Sequence, residues 1–209
     1  MMKIDFTKII TPKRVMYCFA IACFIYVGTG YLFFRDDQNF ARELQKAEEG
    51  NVAAQLQIAN WYFVGKGVEK NIAQAMHWYQ KAAENNNAEA QYNIAYCYDM
   101  GENLQHDAVK AFEWYTKAAN QGYVRAENNL GFCFEKGKGV KADFDKAFFW
   151  YQKAADHGNA VAMFNLARCY ELGVGTKRNL KDALRWYTEA RHKDHPEADE
   201  AVDRIKKMM

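Results

Sequence analysis

The strongest constraint on this chain is a period. Ala54, Ala90, Ala126, Ala162 and Ala198 fall 36 residues apart, as do Trp78, Trp114, Trp150 and Trp186 and the adjoining Tyr79, Tyr115, Tyr151 and Tyr187. Ala82, Ala118, Ala154 and Ala190 keep the same step. A constant interval of this size, with no insertion, is the signature of a stacked array of small helical units, each too small to bury its apolar face alone.

One unit shows how the period becomes structure. In Ala126–Val161, the residues Ala126, Leu130, Gly131 and Phe134 recur at three to four positions, which is one face of a helix. Gly137 can take the left-handed conformation that ends a helix, and Gly139 keeps the turn tight. Asp143, with Asn71, Asp107 and Asn179 at its place in the other units, is a good N-cap for a second helix carrying Ala147, Phe148, Tyr151, Ala154 and Ala155. Asn71 and Gln74 have the spacing of a capping box. Small residues recur where helices approach closely, in the series Ala75, Ala111, Ala147, Ala183 and the series Ala59, Ala95, Gly131, Ala167. The Trp and Tyr pairs are expected to fill the space between units. Only 2 of the 209 residues are proline, which permits uninterrupted helices.

The units resemble Sel1-like repeats, relatives of the tetratricopeptide class with a longer loop. The matching pieces are AQYNIAYCYDMG at Ala90–Gly101, GKGV at Gly65 and Gly137, and KAFFWYQKAADHG at Lys146–Gly158. The resemblance implies an all-α fold, a right-handed superhelical solenoid of helix hairpins, and binding of a protein or peptide on a concave face lined by the first helices. It departs at Asn103, where a glycine is usual, and at Arg191, where the series otherwise has alanine. Segment 54–197 therefore reads as four repeats and 198–209 as a capping helix, with Asp194, His195 and Pro196 fitting its start. Segment 35–53 reads as half a repeat, because Ala47 lies 36 residues before Ala83 and Phe40 lies 36 before Met76.

Val15–Phe34 is a run of 20 residues without a charge. A helix of that length spans roughly 30 Å, the thickness of a bilayer core, so the run is expected to be one transmembrane helix, an uncleaved anchor. Its rival is a cleaved signal peptide, with Gly28 and Gly30 before the cleavage site. Residues 1–14 hold Lys3, Lys8, Lys13 and Arg14 against Asp5, so this basic terminus is expected in the cytoplasm. The array then lies on the other side, in the periplasm if the membrane is a bacterial inner membrane. Ala20, Gly28 and Gly30 leave homo-oligomerisation through this helix possible, without a simple small-residue pattern on one face. Of 28 basic and 26 acidic residues, 24 and 25 follow Phe34, a net charge of −1. A body so nearly neutral has no long-range pull on phosphate, so nucleic acid is not expected as a partner.

No pattern of catalysis is present: there is no nucleophile–base arrangement and no phosphate loop. His192 and His195 flank Asp194, but a solvated helix end explains them better than a metal site. No cofactor is expected. Cys97, Cys133 and Cys169 share one place in successive units, where Trp61 stands in the first. They read as half-buried packing residues, unlike the disulfide-stapled hairpins of cysteine-rich members of the family. Three thiols would be awkward in an oxidising compartment.

Binding is expected where residues vary within the fixed frame. On the first helices these are Leu56 with Asn60, Tyr92 with Tyr96, Asn128 with Phe132, and Phe164 with Arg168, each pair four apart on one helical face. The candidate partner-binding residues are thus Tyr92, Tyr96, Asn128, Phe132, Phe164 and Arg168. Aromatic and Arg side chains are favoured interface anchors. The expected role is a membrane-anchored scaffold or adaptor for a protein or peptide, in an envelope or secretion-related assembly. The alternative is a module for envelope polysaccharide or peptidoglycan, with aromatics stacking on sugars.

Overall fold

The computed structural model describes residues 39–101 and 106–209. The expected membrane helix at 15–34, with Cys18 and Cys23, lies outside them, as does the departure at Asn103. Among the described residues no helix is long and apolar enough to cross a membrane.

The described chain is helical throughout. A first helix, α1, covers residues 39–48. Four hairpins follow: α2 (Val52–Val64) with α3 (Ile72–Glu84), α4 (Ala88–Met100) with α5 (Ala108–Asn120), α6 (Val124–Lys136) with α7 (Phe144–Asp156), and α8 (Ala160–Leu172) with α9 (Leu180–His192). Helix α10 (Ala198–Met208) closes the array. Contacts run within each hairpin and from each second helix to the next first helix, so the molecule is an all-α solenoid.

Local chemistry starts each second helix and stops each first helix at the same place in every unit. Asn71, Asp107, Asp143 and Asn179 stand at the N-caps of the second helices, and each side chain accepts a hydrogen bond from a backbone N–H of the first turn. Their own amides return to the first helix, Asn71 N to Tyr62 O at 2.8 Å and Asn179 N to Tyr170 O at 2.8 Å. Gly65, Gly101, Gly137 and Gly173 end the first helices in the left-handed region. The left-handed site after each second helix also repeats, occupied by Gly50, Asn86, Gly122, Gly158 and Asp194.

The first helices begin on Asn51, Asn87 and Asn159, each capping the amide three residues on. Tyr123 takes this place in α6 and makes no side-chain cap. Its ring instead packs at a tilt against Tyr92, ring centroids 5.2 Å apart. His195 takes the place ahead of α10 and lies flat against Phe164 at 4.3 Å. Where the capping amide is lost, an aromatic contact to the preceding first helix replaces it. Helix α10 starts three residues after His195, and Ala198 N donates to the His195 carbonyl.

Helix α1 packs on α2 as a second helix packs on the next first helix. Phe40 meets Tyr62 edge-on at 5.5 Å, as Phe112 meets Phe134 and Phe148 meets Tyr170, both at 5.3 Å. Two apolar clusters form the core, one from Ala47 to Ile94 and one from Tyr92 to Ile205, and Tyr98 and Trp114 pack against both. Tyr79, Tyr115, Tyr151 and Tyr187 are among the largest fully buried side chains. The tryptophans are not equivalent: Trp78 and Trp186 are buried, while Trp114 and Trp150 are half-buried. Lys81, Lys117 and Lys153 sit over Trp78, Trp114 and Trp150, and Arg185 supplies the cation for Trp186. The cysteines differ from their sequence reading. Cys97, Cys133 and Cys169 are buried thiols rather than half-buried ones, and burial pushes Cys133 up to about 12 and Cys169 up to about 11.

Candidate partner-binding surface

The first helices meet along one face, and each seam is built from the same helical positions with different residues. Between α2 and α4, the buried Tyr79 donates its hydroxyl to Asn60 Oδ1 at 2.7 Å, and Asn93 Nδ2 reaches the same oxygen at 3.4 Å. Phe63 and Tyr96 meet edge-on at 6.4 Å, and Tyr96 stacks beside Tyr92 at 6.4 Å. These residues, with Glu89 and Arg125, enclose an open cavity of about 310 Å³.

Between α4 and α6 the aromatic character gives way to charge. Lys138 Nζ lies 3.2 Å from Asp99 Oδ1 and 5.3 Å from the ring centre of Phe132. Phe132 is 37% exposed, and Arg125 lies over the Tyr92 ring at 5.2 Å.

Between α6 and α8 the face is closed by an ionic clamp. Glu135 accepts from the Tyr151 hydroxyl at 2.7 Å, and Arg168 Nη2 donates to both its oxygens at 2.9 and 2.8 Å. The same clamp returns 36 positions later, between α8 and α10. Glu171 accepts from Tyr187 at 2.7 Å and from Arg204 at 3.0 and 2.8 Å. Burial raises the Glu135 carboxyl, but hydrogen bonds from Lys136 and Tyr151 and the Arg168 charge outweigh it and hold it below its ordinary range. Glu171 is held low in the same way against its burial, by Arg204 and Tyr187. In the second unit the shorter Asp99 stands at this place and takes Lys138, which leaves Tyr115 without a carboxylate.

The six expected residues therefore fall into different settings. Tyr96 opens into the cavity and Tyr92 forms its buried wall. Phe132 is exposed beyond them. Asn128 accepts from Asn165 Nδ2 and donates to Asn129 Oδ1, both at 3.3 Å. Phe164 is held between Tyr187, at 5.0 Å, and His195. Arg168 is engaged in the Glu135 clamp. The sequence reading passed over Asn93, Asn129 and Asn165, which share one register on the face. A signal was present, because asparagine is a poor residue for a helix interior, and its return at the array period calls for a side-chain role.

Other clusters are internal to the frame. Glu127 is fully buried, with Lys153 Nζ at 3.2 Å and His157 Nδ1 at 2.7 Å. Among the described residues no group of three or more His, Cys, Asp or Glu side chains is placed to hold a metal ion.

Comparison with known proteins gives this geometry a family. Residues 52–87, 88–123, 124–159 and 160–195 each match the Sel1 repeat. Among solved structures, the chain is similar to a protective antigen present in uropathogenic Escherichia coli strains that displays an SLR fold, with 33% identity, a TM-score of 0.75 and 76% of this chain covered. The match spans only 34% of that protein, so this chain corresponds to about a third of its length. It is also similar to a Sel1 repeat protein from Oxalobacter formigenes, with 31% identity, a TM-score of 0.73, and coverage of 83% of this chain and 72% of the other. Cysteine rich protein B of Helicobacter pylori is more distant, at 27% identity and a TM-score of 0.50, covering 63% of this chain and 94% of the other. No curated protein matches the chain.

Proposed function

The chain belongs to the Sel1 repeat family, and on that premise we propose that it is a non-catalytic scaffold which binds a protein or peptide partner through the concave, first-helix face of its array. The observation that carries this reading is the contrast along that face. In its amino-terminal half, Tyr96, Asn60, Asn93 and Phe63 surround an open cavity. In its carboxyl-terminal half, the equivalent places are filled by clamps that satisfy one another. Hydrogen-bonding groups and half-exposed aromatics around a cavity are what an interface core needs.

Residues 15–34 anchor the array to a bacterial inner membrane in this reading, with the basic terminus in the cytoplasm and the repeats in the periplasm. The short interval between Phe34 and α1 holds the array close to the bilayer. The likeness to a protective antigen supports a body outside the cytoplasm. The partner is then a component of an envelope or secretion assembly, and self-association through the membrane helix is compatible with it.

The test is a pull-down from native membranes in detergent, comparing the intact protein with a Tyr96→Ala, Phe132→Ala variant whose helicity is checked by circular dichroism. The expected result is a protein captured by the intact form and lost by the variant. Equal capture by both would move the site off this face. Capture of no protein, with retention on insoluble cell wall, would replace the reading with the polysaccharide module.

A further inference from the structure

The cavity between α2, α4 and α6 has polar and charged groups left over, and their arrangement specifies a ligand. Asn60 Oδ1 is saturated by the Tyr79 hydroxyl and by Asn93 Nδ2, which sets the planes of both amides. Among the described residues this leaves Asn60 Nδ2 as a donor and Asn93 Oδ1 as an acceptor, both on residues that line the cavity. A donor beside an acceptor complements a peptide group, which offers one carbonyl and one N–H. Beside them, Phe63 and Tyr96 present half-buried rings.

Two charges frame this centre. Glu89 and Arg125 occupy the same register in the first turns of α4 and α6, and both are exposed. Elsewhere on the face opposite charges are paired, as Asp99 with Lys138, Glu135 with Arg168 and Glu171 with Arg204. Glu89 and Arg125 take part in no ion pair among the described residues: Arg125 rests on the Tyr92 ring and hydrogen-bonds the Tyr123 side chain, which leaves its charge without a carboxylate. Neighbouring helices pack about 10 Å apart. An extended chain covers that distance in about three residues. A neutral sugar chain would leave both charges without a counterpart, whereas a peptide can answer each.

Resting on the scaffold reading above, we infer that this cavity binds an extended peptide segment with an apolar residue at its centre. A basic residue of the segment faces Glu89, and an acidic residue about three positions away faces Arg125. Its main chain pairs with the Asn60 and Asn93 amides, and its apolar side chain lies against the paired rings of Phe63 and Tyr96.

The experiment uses the full-length protein in detergent and a bead-displayed library of acetylated, amidated hexapeptides. Three forms are screened, each checked for helicity: wild type, Glu89→Lys and Arg125→Glu. Wild type is expected to select an apolar residue with one basic and one acidic neighbour. Glu89→Lys is expected to select acidic residues on both sides, and Arg125→Glu basic residues on both sides. Asn93→Ala is expected to weaken the wild-type peptide about five- to tenfold, the effect of losing one hydrogen bond. The same charge pattern in all three selections would overturn the inference and leave the scaffold reading in place. So would an empty selection by a protein that still captures a partner from membranes through Tyr96 and Phe132. Displacement of the selected peptide by chitin oligosaccharides at the cost expected of a true ligand would overturn it in favour of a sugar.

Discussion

Tyr151 and Tyr187 show what a single residue contributes here. Each is buried, and each delivers its hydroxyl to a carboxylate 16 residues earlier that an arginine from the next first helix also grips. Because Glu171 and Glu135 sit below their ordinary value of 4.5 in the folded state, their contribution to stability is complete above about pH 4.5. It is lost as pH falls through the lowered folded value. A Glu135→Gln, Glu171→Gln variant is therefore expected to lose less of its melting temperature than wild type between about pH 7 and about pH 3. Parallel melting curves against pH would contradict the clamps. Truncating Glu171 to alanine, which orphans the Tyr187 hydroxyl, is expected to cost about 1–3 kcal/mol in urea denaturation. At this scale the sequence was only partly legible. Arg168 reads as a free anchor because its partner lies 33 residues away, although Arg204 and Glu171 repeat the pair at the array period. The sorting of Tyr to the interior and of two tryptophans to a half-buried edge depends on packing that periodicity does not encode.

The helices and turns were far more legible, because caps and left-handed residues act within a few positions of sequence. The N-caps at Asn71, Asp107, Asp143 and Asn179 follow from residue type and place alone. What the sequence could not show is why the second glycine of the turn is needed. Gly175 has φ +66°, and a Cβ there would lie 2.1 Å from the Phe144 carbonyl oxygen of the preceding unit. Gly139 stands in the same relation to Ala108, at 2.0 Å. The turn thus touches the start of the previous second helix, and its glycine sets the spacing between units as well as the bend. Gly175→Ala is expected to cost about 2–4 kcal/mol, combining the left-handed backbone with a clash against main chain. Gly158→Ala is the control. It has φ +87° and nothing within 4 Å of the added Cβ, so it should cost only about 1–2 kcal/mol. Equal costs in urea denaturation would mean that the contact between units does not constrain the turn. The exchange of an N-cap amide for an aromatic contact at Tyr123 and His195 was also illegible, since it needs the neighbouring first helix to be in place.

Across the whole molecule the array is uniform in frame and polarised in surface. Every hairpin has helices of the same length, yet the first-helix face runs from tyrosines and amides at α2 and α4 to ionic clamps at α6, α8 and α10. Solenoids transmit stability only between neighbours, so under the proposed scaffold reading the clamped half holds its shape while the open half engages a partner. The most direct measurement is site-specific photo-crosslinking in cells with the full-length protein. A benzophenone amino acid is placed at Tyr96, on the open half of the face, and in a parallel variant at Phe149, which is 57% exposed on the second helix α7. The expected result is a discrete adduct with a second protein from position 96 and none from position 149. Adducts from 149 alone, or from neither position while the protein still captures its partner, would contradict the assignment of the first-helix face as the binding surface.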